Sequence, residues 1–96
     1  MTSYQVLLSP DAETFYSELD EKSQRIVRQN LEKLADSPYP GRGKGDKEKL
    51  TVDGEEMYRM HIGRTYTAFY LVDERDEEVR VVDVLSIEDA HKRYGN

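Results

Sequence analysis

The stretch that decides the fold is Met57–Val72, with the sequence MYRMHIGRTYTAFYLV. Two runs of strand-forming residues, 57–62 and 66–72, are joined by Gly63–Thr65, which has the length and chemistry of a hairpin connection. Because side chains alternate along a strand, the first run has two different faces. Tyr58, Met60 and Ile62 share one face, and Met57, Arg59 and His61 share the other. The second face carries a guanidinium beside an imidazole, and we expect the functional site there.

The chain before the hairpin predicts one strand and two helices. Tyr4–Leu8 is a short apolar run with strand propensity, and Ser9–Asp11 is a helix start, since the Ser oxygen accepts from a free amide and Pro10 has no amide to lose. A second helix is predicted from about Glu21 to Asp36 and ends at Ser37–Pro38. The apolar faces are expected to be Ala12, Phe15, Tyr16 and Leu19 in the first helix, and Ile26, Val27, Leu31, Leu34 and Ala35 in the second.

The remaining segments predict further strands. Pro38–Asp46 is rich in proline and glycine and is expected to be a loop. Lys47–Val52 is a plausible edge strand that reaches the hairpin through the turn residues Asp53 and Gly54. Glu78–Ile87 is nearly continuous in apolar character, which indicates an inner strand covered on both sides. The tail, residues 88–94, has the length of one or two helical turns.

The order of elements predicts an α+β fold of one domain spanning residues 1–96. An N-terminal strand is followed by an antiparallel two-helix hairpin and then by a mainly antiparallel four-stranded meander, with both helices on one face of the sheet. The tail and the Arg59–His61 face border the other side, which we expect to be open.

Composition limits the possible functions. The chain has no cysteine, so disulfides and thiolate metal sites are excluded. It shows no long apolar run and no signal-peptide pattern, and we expect a cytoplasmic protein with no membrane partner. The net charge is −6, which is unfavourable for binding nucleic acid, although residues 38–50 carry four bases and two acids.

Basic and aromatic side chains are the candidates for chemistry. Metal-free cleavage of RNA requires deprotonation of a 2′-hydroxyl, stabilisation of the phosphorane and protonation of the departing 5′-oxygen, and His and Arg suit these tasks. The two histidines lie thirty residues apart without metal-ligand spacing, so we expect neither a metal nor a cofactor. The candidate catalytic residues are Arg59, His61, Arg64, His91 and Tyr94, and the candidate RNA-binding residues are Lys44, Lys47, Lys49, Lys92 and Arg93.

Each candidate also has a purely structural interpretation. His61, Arg59 and Arg64 have the composition of an ordinary polar strand surface. The edge-strand lysines can serve to prevent sheet aggregation. His91 and Tyr94 can simply be packed tail residues.

The chain resembles the RelE/ParE superfamily of small toxins from prokaryotic toxin–antitoxin modules, and is most similar to the RelE branch. The resemblance covers almost the whole chain and is carried by the element order, MYRMHIGRTYTAFYLVDE, the valine-rich VRVVDVLSI and the closing Tyr94. It implies a microbial RNase-like fold, inhibition of translation by cutting messenger RNA on the ribosome, and neutralisation by a cognate antitoxin protein.

Site residues follow from the resemblance position by position. Arg59 and His61 match the two basic positions of the strand before the turn, and Tyr94 matches the tail tyrosine. Thr67 stands where the RelE pattern has an arginine, and the tail arginine of that pattern falls near Ala90. His91, Lys92 and Arg93 are close enough in sequence to replace the tail arginine, and Arg64 is the candidate to reach the space of the other. Loss of an arginine that contacts the reacting phosphate removes transition-state stabilisation.

Three hypotheses follow for function. The first is a ribosome-dependent endoribonuclease that works without a metal, in which His61 is the base, Arg59 and Arg64 bind phosphate, His91 or Arg93 assists the leaving group, and Tyr94 stacks a base. The second is a ParE-like or degenerate member that blocks a protein such as DNA gyrase. The third is an inactive scaffold whose partner is its antitoxin alone.

Overall fold

A computed structural model describes residues 3–41 and 47–94 of the chain. The predicted loop residues 42–46, including Lys44, lie outside the described residues. Within them the elements are β1 (Gln5–Leu8), α1 (Pro10–Ser17), α2 (Glu21–Glu32), a 3₁₀ turn (Lys33–Ala35), β2 (Lys47–Val52), β3 (Glu55–Ile62), β4 (Tyr66–Asp73), β5 (Glu78–Ser86) and α3 (Ile87–Tyr94). The strand order is β1-β5-β4-β3-β2, with β1 parallel to β5 and the other pairs antiparallel. The predicted α+β fold is confirmed.

The helices begin where the sequence predicts. Ser9 caps α1, its Oγ accepting from the Ala12 amide at 3.1 Å, and Pro10 is the first helical residue. Helix α2 ends at Glu32 and tightens into the 3₁₀ turn before Ser37–Pro38, a common way for a last turn to satisfy its carbonyls. The prediction that Ile26 is buried is wrong: it is 36% exposed because the α2 face toward the sheet is centred on Val27 and Leu31.

Both α1 and α2 pack on one face of the sheet and form the main core. Its fully or nearly buried members are Ala12, Val27, Leu31, Leu34, Met60, Ile62, Ala68, Tyr70, Val79, Val81 and Val84. Tyr58 packs against the same cluster, so the predicted apolar face of β3 is the core face. The burial of these side chains from water is the main source of stability.

Tight turns fix the register of the meander. The two residues between β2 and β3, Asp53 and Gly54, have φ of 51° and 84°, as a two-residue hairpin of this type requires. Val52 therefore lies opposite Glu55, and the same register continues to the far end of β2.

The second face of the sheet is partly covered, where an open face was expected. The tail forms the eight-residue helix α3, whose Ala90 and Tyr94 pack with Met57, Phe69 and the apolar side chains around them. A β-bulge in β5 serves this face: Val81 lies opposite Tyr70 and Asp83 opposite Phe69, so Val82 is the extra residue. None of the helices in the described part of the chain has the length and apolar character needed to cross a membrane.

Candidate functional site

A small concavity lies on the α3 side of the sheet, where β3, β4 and α3 meet. Its lining residues are Arg59 and His61 from β3, Thr67 from β4, and Ile87, Ala90 and His91 from α3. Its volume is about 20 Å³, which is room for a water molecule and not for a phosphate group. A nucleotide would therefore meet the outer rim of the concavity, where His61 and His91 are exposed.

Strand register and one backbone hydrogen bond bring these groups together. His61 lies opposite Thr67 and Arg59 opposite Phe69, so their side chains share the α3 side of the sheet. The Ile87 amide donates to the Thr65 carbonyl at 3.0 Å, which places the start of α3 beside the β3–β4 turn. His91 lies one turn further along α3. It therefore faces Arg59 and His61 of β3, although His61 is thirty residues away in sequence.

Arg59 has an internal partner. Its Nη2 is ion-paired to Glu48, which lies directly opposite it on β2. The Arg59 side chain is 27% exposed, and its Nε is buried with no hydrogen-bond partner among the described residues. A buried donor without a partner is costly, and the small concavity has room for a water molecule that could accept from the Arg59 Nε.

Thr67 and Ala90 form the wall of the concavity. Thr67 is 1% exposed and Ala90 is 7% exposed. These are the two positions at which the RelE resemblance implies arginines. The small side chains let α3 lie close to β4, and the described site contains one arginine where the RelE pattern has three.

The tail tyrosine is held inside the protein. The Tyr94 ring stacks on buried Phe69 with centroids 3.9 Å apart and planes 25° apart, and its hydroxyl donates to Asp83 Oδ2 at 2.6 Å. Burial and the hydrogen bond to the Asp83 carboxylate both raise the pKa of Tyr94. Neutral Tyr94 therefore offers the outer part of its ring for contact, while its hydroxyl is already engaged.

The other predicted residues are dispersed. Arg64 is exposed in the β3–β4 turn, and Lys92 and Arg93 are exposed on α3. Lys47 and Lys49 lie opposite Met60 and Tyr58, so they point to the α1–α2 side of the sheet, away from Arg59. Their partners are local: Lys47 donates to the Ser37 carbonyl at 2.8 Å, and Lys49 pairs with Glu56 at 3.0 Å.

Carboxylates come together elsewhere, at the β4–β5 turn. One oxygen of each of Asp73, Asp76 and Glu78 lies within 4.8 Å of the others. The Arg80 guanidinium forms ion pairs with all three carboxylates at 2.9–3.6 Å and so balances part of their negative charge. This group is an ion-pair network.

Two residues of the site were missed by sequence reasoning. Glu48 carried a usable signal, because a two-residue turn at Asp53–Gly54 fixes the β2–β3 register and puts position 48 opposite 59. Asp83 carried none. Regular alternation from Val81 would place residue 83 on the core face, and only the bulge at Val82 turns its carboxylate toward α3.

A large apolar groove lies on the opposite side of the molecule. It measures about 460 Å³ and is lined mainly by Val6, Leu8, Tyr16, Leu31 and Ala35, with Arg28 and Glu32 at its border. Strand β1 forms one wall, and its outer edge is an edge of the sheet. Within residues 3–41 and 47–94, the groove and the edge together form an unpartnered surface of the kind that peptide segments occupy.

Comparison with protein families gives one match over most of the chain. The family model described as ParE toxin of type II toxin-antitoxin system, parDE, matches residues 6–90. A comparison with curated protein sequences finds no match.

Solved toxin structures share the fold. The archaeal RelE–RelB complex from Pyrococcus horikoshii matches with a TM-score of 0.71 and 23% identity, covering 88% of this chain and 96% of that chain. The RelBE2 toxin–antitoxin complex from Mycobacterium tuberculosis matches with a TM-score of 0.74 and 17% identity, covering 88% and 99%. The YoeB dimer from Staphylococcus aureus matches with a TM-score of 0.68 and 21% identity, covering 88% and 97%.

Proposed function

The chain belongs to the ParE toxin family of type II toxin–antitoxin systems, and from this premise we propose that it is a metal-independent endoribonuclease that cuts messenger RNA on the ribosome. The observation that carries the proposal is that Arg59, His61 and His91 line one concavity, on the sheet face that α1 and α2 leave free. One cation and two imidazoles supply the three tasks of metal-free RNA cleavage.

The reaction is an in-line transfer. A base takes the proton of the 2′-hydroxyl, the 2′-oxygen forms a bond to phosphorus, and the bond from phosphorus to the 5′-oxygen breaks. Arg59 donates to the phosphate oxygens while their charge increases. His91, in its protonated form, gives a proton to the 5′-oxygen. The products are a 2′,3′-cyclic phosphate and a 5′-hydroxyl.

Two side chains qualify as the base. His61 is exposed at the rim of the concavity, and histidine is the side chain that most often acts as a general base. Glu48 is the carboxylate in contact with Arg59, so it lies next to any phosphate bound there. His61→Gln and Glu48→Gln separate the two: loss of the true base lowers kcat by about 10²- to 10⁴-fold.

The experiment is cleavage of ribosome-bound message by the purified protein, with cut sites mapped by primer extension. Arg59→Ala should abolish cleavage, because the phosphorane loses the guanidinium that donates to its oxygens. Arg75→Ala is the matched control, since it removes the same charge from the exposed β4–β5 turn. If the unaltered protein leaves ribosome-bound message intact, the nuclease proposal fails.

A second candidate function is ParE-like inhibition of a protein target such as DNA gyrase. It is favoured by the small, buried Thr67 and Ala90 and by the internal pairing of Arg59 with Glu48, which leave little charge for RNA. Growth arrest that survives the double change Arg59→Ala with His61→Ala, together with inhibition of gyrase supercoiling in vitro, supports this alternative and excludes the nuclease.

The partner of the toxin is a cognate antitoxin protein, and the β1–α1–α2 groove is the surface that suits its apolar segment. An inserted helix or strand would bury the groove side chains and use the free edge of β1. Ala35→Arg, which fills the groove, should prevent neutralisation by the product of the neighbouring gene while toxicity persists. Gln29→Arg, on the exposed side of α2, is the control. Equal neutralisation of both variants contradicts this docking site.

A further inference from the structure

The Asp83 carboxylate, which the proposed reaction does not use, binds the end of helix α3 to the sheet. Asp83 is 8% exposed. Tyr94 Oη donates to its Oδ2 at 2.6 Å, and Arg93 Nη1 lies 3.3 Å from Oδ2 and 3.5 Å from Oδ1. A carboxylate removed from water needs such partners, because its desolvation is otherwise uncompensated.

The bulge in β5 turns the Asp83 side chain toward the side of the sheet that carries α3. With Val82 as the extra residue, both Val82 and Asp83 point toward α3, and Val84 returns to the main core. A bulge interrupts the hydrogen bonding between neighbouring strands, which costs free energy locally. Bulges occur where a side chain has to point in a different direction. Here the side chain re-aimed is the Asp83 carboxylate.

Helix α3 is consequently held at both ends. Its first residue is bonded through the Ile87 amide to the Thr65 carbonyl, and its last described turn is bonded through Tyr94 and Arg93 to Asp83. Eight residues are too few for a helix that is stable by itself, so these contacts and the Phe69 stack determine its position. His91 lies between the two attachments.

We propose that Asp83 is a positioning residue, which holds the end of α3 and thereby places the His91 imidazole against Arg59 and His61. The proposal rests on the proposed nuclease function for its catalytic consequence. Asp83 is not among the residues that line the concavity, and its side-chain hydrogen bonds are to Tyr94 and Arg93, so it acts through them.

The test compares Asp83→Asn and Tyr94→Phe with the unaltered protein. Both changes weaken the same hydrogen bond, so each should lower kcat about 10- to 100-fold with KM within about twofold, because a misplaced acid group is less effective. The double variant should lose no more than the worse single variant, since the two residues act as one unit. Asp89→Asn removes the same charge from an exposed side chain of α3 and should leave kcat unchanged.

A second measurement does not depend on activity. The His91 ring resonances, assigned by NMR, should shift in Asp83→Asn and Tyr94→Phe and stay in place in Asp89→Asn. Unmoved His91 resonances, or an unchanged kcat in both Asp83→Asn and Tyr94→Phe, overturn the proposal. If the unaltered protein cleaves no RNA, the nuclease function fails, and the His91 resonances alone decide whether Asp83 positions the helix.

Discussion

The contribution of Tyr94 to stability can be separated into two parts by two substitutions. Tyr94→Phe removes the hydroxyl that donates to Asp83 at 2.6 Å and keeps the ring on Phe69. A hydrogen bond to a charged group contributes about 1.5–3 kcal/mol when buried, and Arg93 still faces Asp83, so we expect a loss of about 1–2 kcal/mol. For a chain of this length each kcal/mol lowers Tm by about 4–8 °C.

Tyr94→Ala removes the ring as well. An aromatic stack adds about 0.5–1.5 kcal/mol beyond area burial, and uncovering half of a ring of this size costs a similar amount again. The total expected loss is therefore about 2–5 kcal/mol. Urea unfolding with linear extrapolation measures both values.

The control for this comparison is Tyr16→Phe. The Tyr16 hydroxyl accepts from Arg28 at 2.9 Å in an exposed contact, and its loss should cost less than about 0.5 kcal/mol. A Tyr94→Phe protein as stable as the unaltered one, or a Tyr94→Ala protein no less stable than Tyr94→Phe, would refute the account of how α3 is attached.

Three further predictions concern pH, the core and a turn. The folded protein raises the pKa of Tyr94, so the stabilisation by its neutral form is present below pH 10 and decreases as pH rises through the folded-state pKa; urea midpoints of the unaltered and Tyr94→Phe proteins should therefore converge in alkaline buffer. Ile62→Ala should cost about 2–5 kcal/mol in urea unfolding because Ile62 is 0% exposed, whereas Ile26→Ala at 36% exposure should cost less than about 1 kcal/mol, and equal losses would contradict the assigned core. Gly54→Ala should lower Tm by at least 4 °C, the equivalent of about 1 kcal/mol, because φ is +84° there; Gly41→Ala, in open space without positive φ, should not, and a normal Tm for Gly54→Ala would contradict the turn geometry.

Part of the site was predictable from sequence, and part was not. Arg59 and His61 could be placed on one face of β3 because alternation over a few residues is a local property of a strand. Tyr94 could be assigned to the tail, but its engagement with Phe69 and Asp83 could not, because those partners lie on two other strands. Arg59 was expected to be free for phosphate, and its pairing with Glu48 follows from strand register alone.

By itself, the sequence determined the elements and the common side of the sheet on which α1 and α2 lie. Periodicity, the Ser9–Pro10 cap and the Asp53–Gly54 turn are local signals, and local signals are set by backbone sterics and hydrogen bonding within a few residues. The tertiary structure alone decided the parallel pairing of β1 with β5, the bulge at Val82 and the placement of His91 in one concavity with Arg59 and His61. Each of these joins residues far apart along the chain, and the packing free energy that selects them depends on the whole folded surface.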